Sequence, residues 1–247
     1  MNEWTIDLHL HTPLSPCAQD TMLPQPVVER CLGFGLDVIA ITDHNAIDNV
    51  RPFYEEGKEK GLIVVPGMEM ETQEGIHVVC LFDSCEALQT WDEAMKPFRS
   101  VQINDSRYFG HQWVISRSGR QLREEERMLL DSMTISVDDV VPAVHRCGGL
   151  CIAAHADRPS YSITSVLGSI PDELALDGIE LTRHLPRDER LLEDIRRRGY
   201  RYVTACDAHD LDQIGEIHCA AYLDHWSLGE LALAMKGRDG RDIIVAR

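Results

Sequence analysis

Short apolar runs recur along the chain, most of them rich in β-branched residues, and runs of this length suit buried strands. Seven stand out, over residues 5–11, 37–43, 63–67, 76–82, 149–154, 178–181 and 202–206. Helical spacing fills several of the gaps. Residues 24–33 place Val27, Val28, Cys31 and Leu32 on one face, with Pro26 near the start and Gly33 and Gly35 at the end. Residues 84–98 set Leu88, Trp91, Met95 and Phe98 at helical intervals after Ser84, a cap residue. Ser136 and Ser227 open two more helices in the same way, and the charged stretch 187–198 reads as a solvated outer helix. Strands that alternate with helices predict βαβ units and a parallel sheet. Seven such strands predict an α/β fold closed, or nearly closed, into a barrel; an open doubly wound sheet is the alternative. Neither Gly-x-Gly-x-x-Gly nor a P-loop is present, so the nucleotide-binding form of the open sheet has no support.

Residues 99–135 break the alternation. Gln112–Ser116 followed by Arg117-Ser118-Gly119-Arg120 predicts a hairpin, and Glu124-Glu125-Glu126 comes next. We read this stretch as an insertion into a single domain spanning 1–247, and as a candidate lid. Arg117, Arg120, Arg123 and His111 would approach a site only if it closes.

Charge narrows the picture. Among 247 residues, 41 acidic side chains face 24 basic ones, a formal charge of -17. That disfavours long duplex nucleic acid as a partner and leaves a small phosphorylated molecule or a nucleotide. No apolar run is long enough for a membrane helix, and the first residues lack the pattern of a secretory signal. None of the eight cysteines forms a Cys-x-x-Cys pair, which predicts buried free thiols in a cytoplasmic protein.

The eleven histidines matter because imidazole and carboxylate together ligate divalent metals. His9 and His11 are two apart on a strand and so point the same way. The second run leads into Asp43-His44-Asn45 and the third into Gly67-Met68-Glu69. His77 opens the fourth, His155 ends the fifth, and Asp207-Ala208-His209 ends the seventh. In a parallel barrel the C-terminal strand ends share one face, which hosts active sites. Ligand-type residues gathered there predict a metal site.

The motifs Asp7-Leu8-His9-Leu10-His11-Thr12, Ile41-Thr42-Asp43-His44-Asn45, Pro66-Gly67-Met68-Glu69, Ala154-His155 and Asp207-Ala208-His209 resemble, in order, those of the polymerase-and-histidinol-phosphatase (PHP) family. The resemblance implies a distorted (β/α)7 barrel and a metal-dependent phosphoesterase that uses a metal-activated hydroxide. It implies two to three divalent ions, Mn, Fe or Zn. His9, His11 and Asp207 would hold the first, His77 and His155 the second, and Glu69 would bridge them. His44 and His209 would hold a third. Many members carry another histidine for this third ion after the first motif; here Asp20 looks like its replacement. Glu69 and Asp207 are then catalytic as well as ligating. Arg158, three residues after His155, is a candidate to grip the phosphate during catalysis. Arg183 and His184 are weaker candidates for substrate binding. Asp7 and Asp43 read as partners of ligands rather than ligands. Glu71, two residues past Glu69, ranks below it as a ligand, because the family's motif places the ligand right after Pro-Gly-x. Two other readings compete: an amidohydrolase-type barrel that cleaves C–N bonds, and a non-catalytic metal-binding regulatory module.

Overall fold

The computed structural model describes residues 1–182, 188–216 and 218–245. The strands are β1 (Asn2–Leu10), β2 (Val38–Ile41), β3 (Ile63–Glu71), β4 (His77–Leu81), β5 (Trp113–Ile115), β6 (Gln121–Glu124), β7 (Leu150–Ala153), β8 (Gly178–Leu181), β9 (Tyr202–Thr204), β10 (Cys219–Leu223) and β11 (Asp242–Val245). The helices are α1 (Pro24–Gly33), α2 (Val50–Lys60), α3 (Cys85–Met95), α4 (Ser106–Phe109), α5 (Val137–Arg146), α6 (Ile163–Leu167), α7 (Glu189–Arg197) and α8 (Leu228–Met235).

Nine strands form one sheet in the order β11-β10-β1-β2-β3-β4-β7-β8-β9. Its two ends meet where β9 lies against β11, so the sheet is a nearly closed, barrel-like α/β structure. Two apolar layers hold it. Ile39, Ile41, Val64, Met68, Val78 and Cys151 pack with residues of α1, α2, α3, α5 and α7. Ile6, Leu8, Val38, Ala40, Val79 and Ile152 pack with Leu228, Leu231, Ala234 and Met235 of α8.

The seven expected strands all form, but they are not all parallel. β4 runs antiparallel to both β3 and β7. The reason is the connection: β3 and β4 are joined by a tight turn in which the Thr72 N–H donates to Ile76 O at 2.9 Å and Gly75 takes φ 77. A turn this short cannot carry a crossover helix. The reversal brings the start of β4 to the rim where β3 ends, which places His77 opposite Glu71. A parallel β4 would put His77 at the far end of the barrel. β10 and β11, beyond the seven, pair antiparallel with β1 and with each other and complete the sheet.

The serine caps form as expected. Ser84, Ser136 and Ser227 accept from the backbone N–H of Ala87, Asp139 and Glu230. α2 is a helix that the apolar spacing did not reveal. Gly57 weakens its helical pattern, yet a Cβ there would sit 2.4 Å from Val64 Cγ2 and 2.8 Å from Leu62 O. The glycine lets α2 lie close on β3, and tertiary packing overrides its low propensity. Within 99–135, β5 and β6 pair as an antiparallel hairpin separate from the main sheet. Among the described residues, no helix is long and apolar enough to cross a membrane.

Candidate metal centre

β1 delivers the first motif to the rim. Its register with β2 shifts between Asp7 and Leu10, a bulge beside His9 of the kind that re-aims a side chain. Beyond β1, the His11 N–H donates to Ala208 O at 3.0 Å, which ties the β1 and β9 ends together. Three rim residues adopt the left-handed backbone region without being glycine: Asn45 (φ 48), His155 (φ 29) and Asp207 (φ 49). Such strain persists where surrounding structure holds it, commonly at functional sites.

The side chains converge on Glu69. His44 Nδ1 lies 2.9 Å from its Oε2. His77 Nδ1 and His155 Nε2 lie 2.8 Å and 2.9 Å from its Oε1. His9 Nε2 is 3.3 Å from Oε1 and His11 Nε2 is 3.4 Å from Oε2. Asp207 Oδ1 is 3.1 Å from His11 Nε2 and 3.5 Å from His9 Nε2. His9, His11, His155 and Glu69 are essentially inaccessible to solvent. His209 stacks on His11 with ring centroids 4.2 Å apart. The structure thus brings together eight of the nine expected ligands: His9, His11, His44, Glu69, His77, His155, Asp207 and His209. The ninth, Asp20, is on an exposed loop, where it lines a small cavity with Leu23, Trp113 and Gln121 of the hairpin region.

Other side chains orient these rings. His9 Nδ1 sits 3.0 Å and 3.1 Å from the two Glu180 oxygens, and His11 Nδ1 sits 2.9 Å from Ser15 Oγ. With those nitrogens engaged, the two Nε2 atoms face each other at 3.2 Å. Asp43 accepts from the Thr12 N–H, Thr12 Oγ1 and Ser15 Oγ, so it steadies His11 through Ser15. Asp7 accepts from the Cys206 and His9 N–H groups, fixing backbone beside Asp207 and His9. Glu71 Oε2 is 3.4 Å from His77 Nε2. Sequence reasoning missed Glu180; the available signal was a lone carboxylate inside the apolar run 178–181. It also missed Cys17, an exposed thiol that burial would raise but that His209 and His44 lower to about 6.

Electrostatics match this crowding. Burial alone would raise the Glu69 carboxyl, but His77, His9 and His44 hold it well below the usual range. Asp207 is lowered likewise, with His9 and His11 outweighing its desolvation. Burial opposes protonation of His9, yet Glu180, Glu69 and Asp207 raise its pKa well above normal. His11 moves the other way, depressed by burial and by His209 and His44.

The arrangement fits divalent cations. Among the described residues, Glu69 Oε2, Asp207 Oδ1 and His155 Nδ1 are buried without a hydrogen bond of good geometry. In three trios, His9/His11/Glu69, His44/Glu69/His77 and His11/His44/His209, the candidate ligand atoms all lie within 4.8 Å of one another. Imidazoles with their outer nitrogens held and their inner ones converging on a carboxylate are typical of metal sites.

Arg158 reaches the mouth of the site, donating from Nη1 to Asp207 Oδ2 at 3.0 Å. Arg117 and Arg123 do not reach it: Arg117 pairs with Glu56 and Glu59, and Arg123 with Asp48 and Glu125. His111 is exposed and lies 2.8 Å from Glu124. Arg183 and His184 lie outside the described residues.

A barrel-like α/β sheet carrying histidines and carboxylates on one rim defines a metal-dependent hydrolase. The profile of the PHP domain matches residues 7–214, and the chain belongs to that family. It is 25% identical over 197 residues to a 5'-3' exoribonuclease of Haemophilus influenzae, covering 64% of this chain and 70% of that protein. Its fold is similar to that of the lesion-specific endonuclease Q of Pyrococcus furiosus (TM-score 0.68, 17% identity, 98% of this chain). The chain spans 58% of that enzyme's length. An endonuclease Q complex with a 27-mer duplex, an abasic lesion at its active site, is similar too (TM-score 0.67, 15% identity, 98% of this chain, 58% of that one). A Bifidobacterium adolescentis protein assigned as a metal-dependent phosphoesterase matches with TM-score 0.57 and 22% identity, over 83% of this chain and 87% of that one.

These neighbours correct one expectation. The net charge pointed to a small phosphorylated substrate and away from long duplex nucleic acid, whereas the similar proteins include nucleases, one of them holding a duplex. Net charge sums the whole surface; binding at a rim depends on the charges facing that rim.

Proposed function

We propose that the chain is a metal-dependent phosphodiesterase acting on nucleic acid. The observation that carries the reading is the convergence of His9, His11, His44, His77 and His155 on the two oxygens of one buried carboxylate, Glu69. One neutral ring offers one nitrogen, whereas a carboxylate can bridge two cations. Glu69 would bridge one ion held by His9, His11 and Asp207 and a second held by His77 and His155. Divalent ions bound there would neutralise a phosphodiester's charge and activate water for attack on phosphorus.

The protein's own groups set the geometry. Glu180 and Ser15 hold His9 and His11 so that both Nε2 atoms face inward. Arg158 is partly exposed and, among the described residues, its guanidinium bonds Asp207 Oδ2, from which it could turn onto a phosphate oxygen. The lysines do not favour the amidohydrolase alternative, which often bridges its metals with a carboxylated lysine. Lys58 and Lys60 end α2, and Lys96 and Lys236 follow α3 and α8.

The test is hydrolysis by Mn-loaded protein of single-stranded RNA, single-stranded DNA and duplex DNA with an abasic site, alongside amide and lactone panels. Cleavage of at least one nucleic acid, lost in H9A and D207A, is expected. Turnover confined to amides or lactones, or metal binding with no turnover at all, would overturn the reading.

A further inference from the structure

We propose that Tyr161 is a stacking platform for an unpaired nucleobase beside the scissile phosphate, so that the chain accepts single strands and open ends ahead of intact duplex. This rests on the nucleic-acid reading above and names the form of substrate and a residue that selects it.

Tyr161 lies in the loop between β7 and α6, on the same stretch as His155 and Arg158. Its ring stacks on that of His77, with centroids 4.9 Å apart and planes 30° from parallel. His77 Nδ1 is in turn 2.8 Å from Glu69 Oε1, so one imidazole separates the phenol ring from the carboxylate at the heart of the centre. Yet Tyr161 keeps 49% of its surface open. Its backbone is left-handed at φ 59, a region that is costly for a bulky side chain and open to glycine. Neither burial nor backbone preference accounts for an aromatic residue here. A ligand that covers the open surface does.

The loop holds the ring in place. The His77 N–H donates to Tyr161 O at 2.9 Å, the Arg158 N–H to His155 O at 2.9 Å and Ser162 Oγ to Arg158 O at 2.7 Å. Ser162 also caps α6, accepting from the Ser165 N–H. Arg158 reaches the mouth of the site through its bond to Asp207 Oδ2. One short loop therefore presents a guanidinium suited to a phosphate and an aromatic ring suited to a base, the two parts of a nucleotide.

Every base has a π-face, so stacking on Tyr161 selects for an accessible base and little for its identity. In an intact duplex both faces of a base are covered by its neighbours, and freeing one costs unstacking energy.

The test compares hydrolysis by the Mn-loaded full chain of a thymine or uracil single strand, a base-free strand of the same length and backbone, and an intact duplex. DNA or RNA is used according to the backbone that the wild type cleaves. The wild type should favour the base-bearing strand over the base-free one by at least about tenfold in kcat/KM. Y161A should bring the two within about twofold of each other, chiefly by raising KM on the base-bearing strand, with the bound ion equivalents unchanged by elemental analysis. Y161G relieves the left-handed backbone, so it should melt no lower than Y161A and lose the preference equally. Y161F and Y161W, which keep a π-face, should retain it. A preference that survives in Y161A, a wild type that cleaves both strands equally, or cleavage confined to intact duplex overturns the assignment and leaves the phosphodiesterase standing. Loss of bound ions in Y161A overturns it too and makes the ring a support for His77 alone. Failure of the wild type to cleave any nucleic acid overturns the phosphodiesterase and the stacking platform together.

Discussion

Carboxylates occur in two settings in this protein, and the contrast separates its charge from its chemistry. On the outer helices and loops they pair with guanidinium groups at or just beneath the surface. Arg198 bonds Asp194 and Asp172, Arg241 bonds Glu230 and Asp224, and Arg117 bonds Glu56 and Glu59. Where such pairs reach water they contribute little to stability. At the rim, Glu69, Asp207 and Glu180 have imidazoles as neighbours, and among the described residues Glu69 and Asp207 each keep an oxygen with no hydrogen bond of good geometry. Buried charge left short of partners is costly, and cations would relieve that cost. The first setting belongs to the surface, and the second to the candidate metal centre.

Breaking the rim should therefore cost far more than breaking the surface. E69Q removes the group on which five histidines converge, and should lower nucleic-acid hydrolysis at least about a thousandfold. Elemental analysis should show the loss of more than one ion equivalent. A variant that keeps its ions and activity would place Glu69 among structural carboxylates.

E180Q touches only the outer nitrogen of His9. It should weaken metal affinity about 10- to 100-fold, with excess metal restoring much of the rate. A purely structural role for Glu180 would lower stability with metal affinity unchanged.

Asp7 gives a smaller effect, on stability. Desolvation is the main cause raising its carboxyl, to about 7, and hydrogen bonds from Cys206 partly offset it. The folded pKa lies above the unfolded one. The contribution is thus fully present below about pH 4 and is lost as pH rises through 7. Chemical denaturation of the metal-free chain should show the wild type losing roughly 2–3 kcal/mol relative to D7N between pH 5 and pH 8. Parallel profiles would show that Asp7 ionises normally.

At the far end of the scale, R117A breaks two pairs on the surface of α2 and should leave hydrolysis within about twofold of the wild type. A large loss there would mean that the hairpin takes part in the site.

The rim motifs were legible because a metal centre demands particular side chains at strand ends, and His9, His11, His44, Glu69, His155 and Asp207 sit in short, distinctive contexts. Less could be read where a residue acts through a neighbour distant in sequence. Glu180 meets His9 across 171 positions, and no local pattern marks that contact. Asp20 follows the first motif closely in sequence, and only the path of its loop decides that it lines a cavity with Leu23, Trp113 and Gln121.

The chain by itself determined the alternation of strand and helix, the serine caps and the set of ligand-type residues, because these depend on local periodicity and side-chain chemistry. Only the tertiary structure decided that β4 runs backward and so brings His77 to the same rim as Glu69. It also decided that β10 and β11 complete the sheet and that Glu180 backs His9. Strand direction and cross-sheet contact arise from long-range pairing, which the apolar period does not encode.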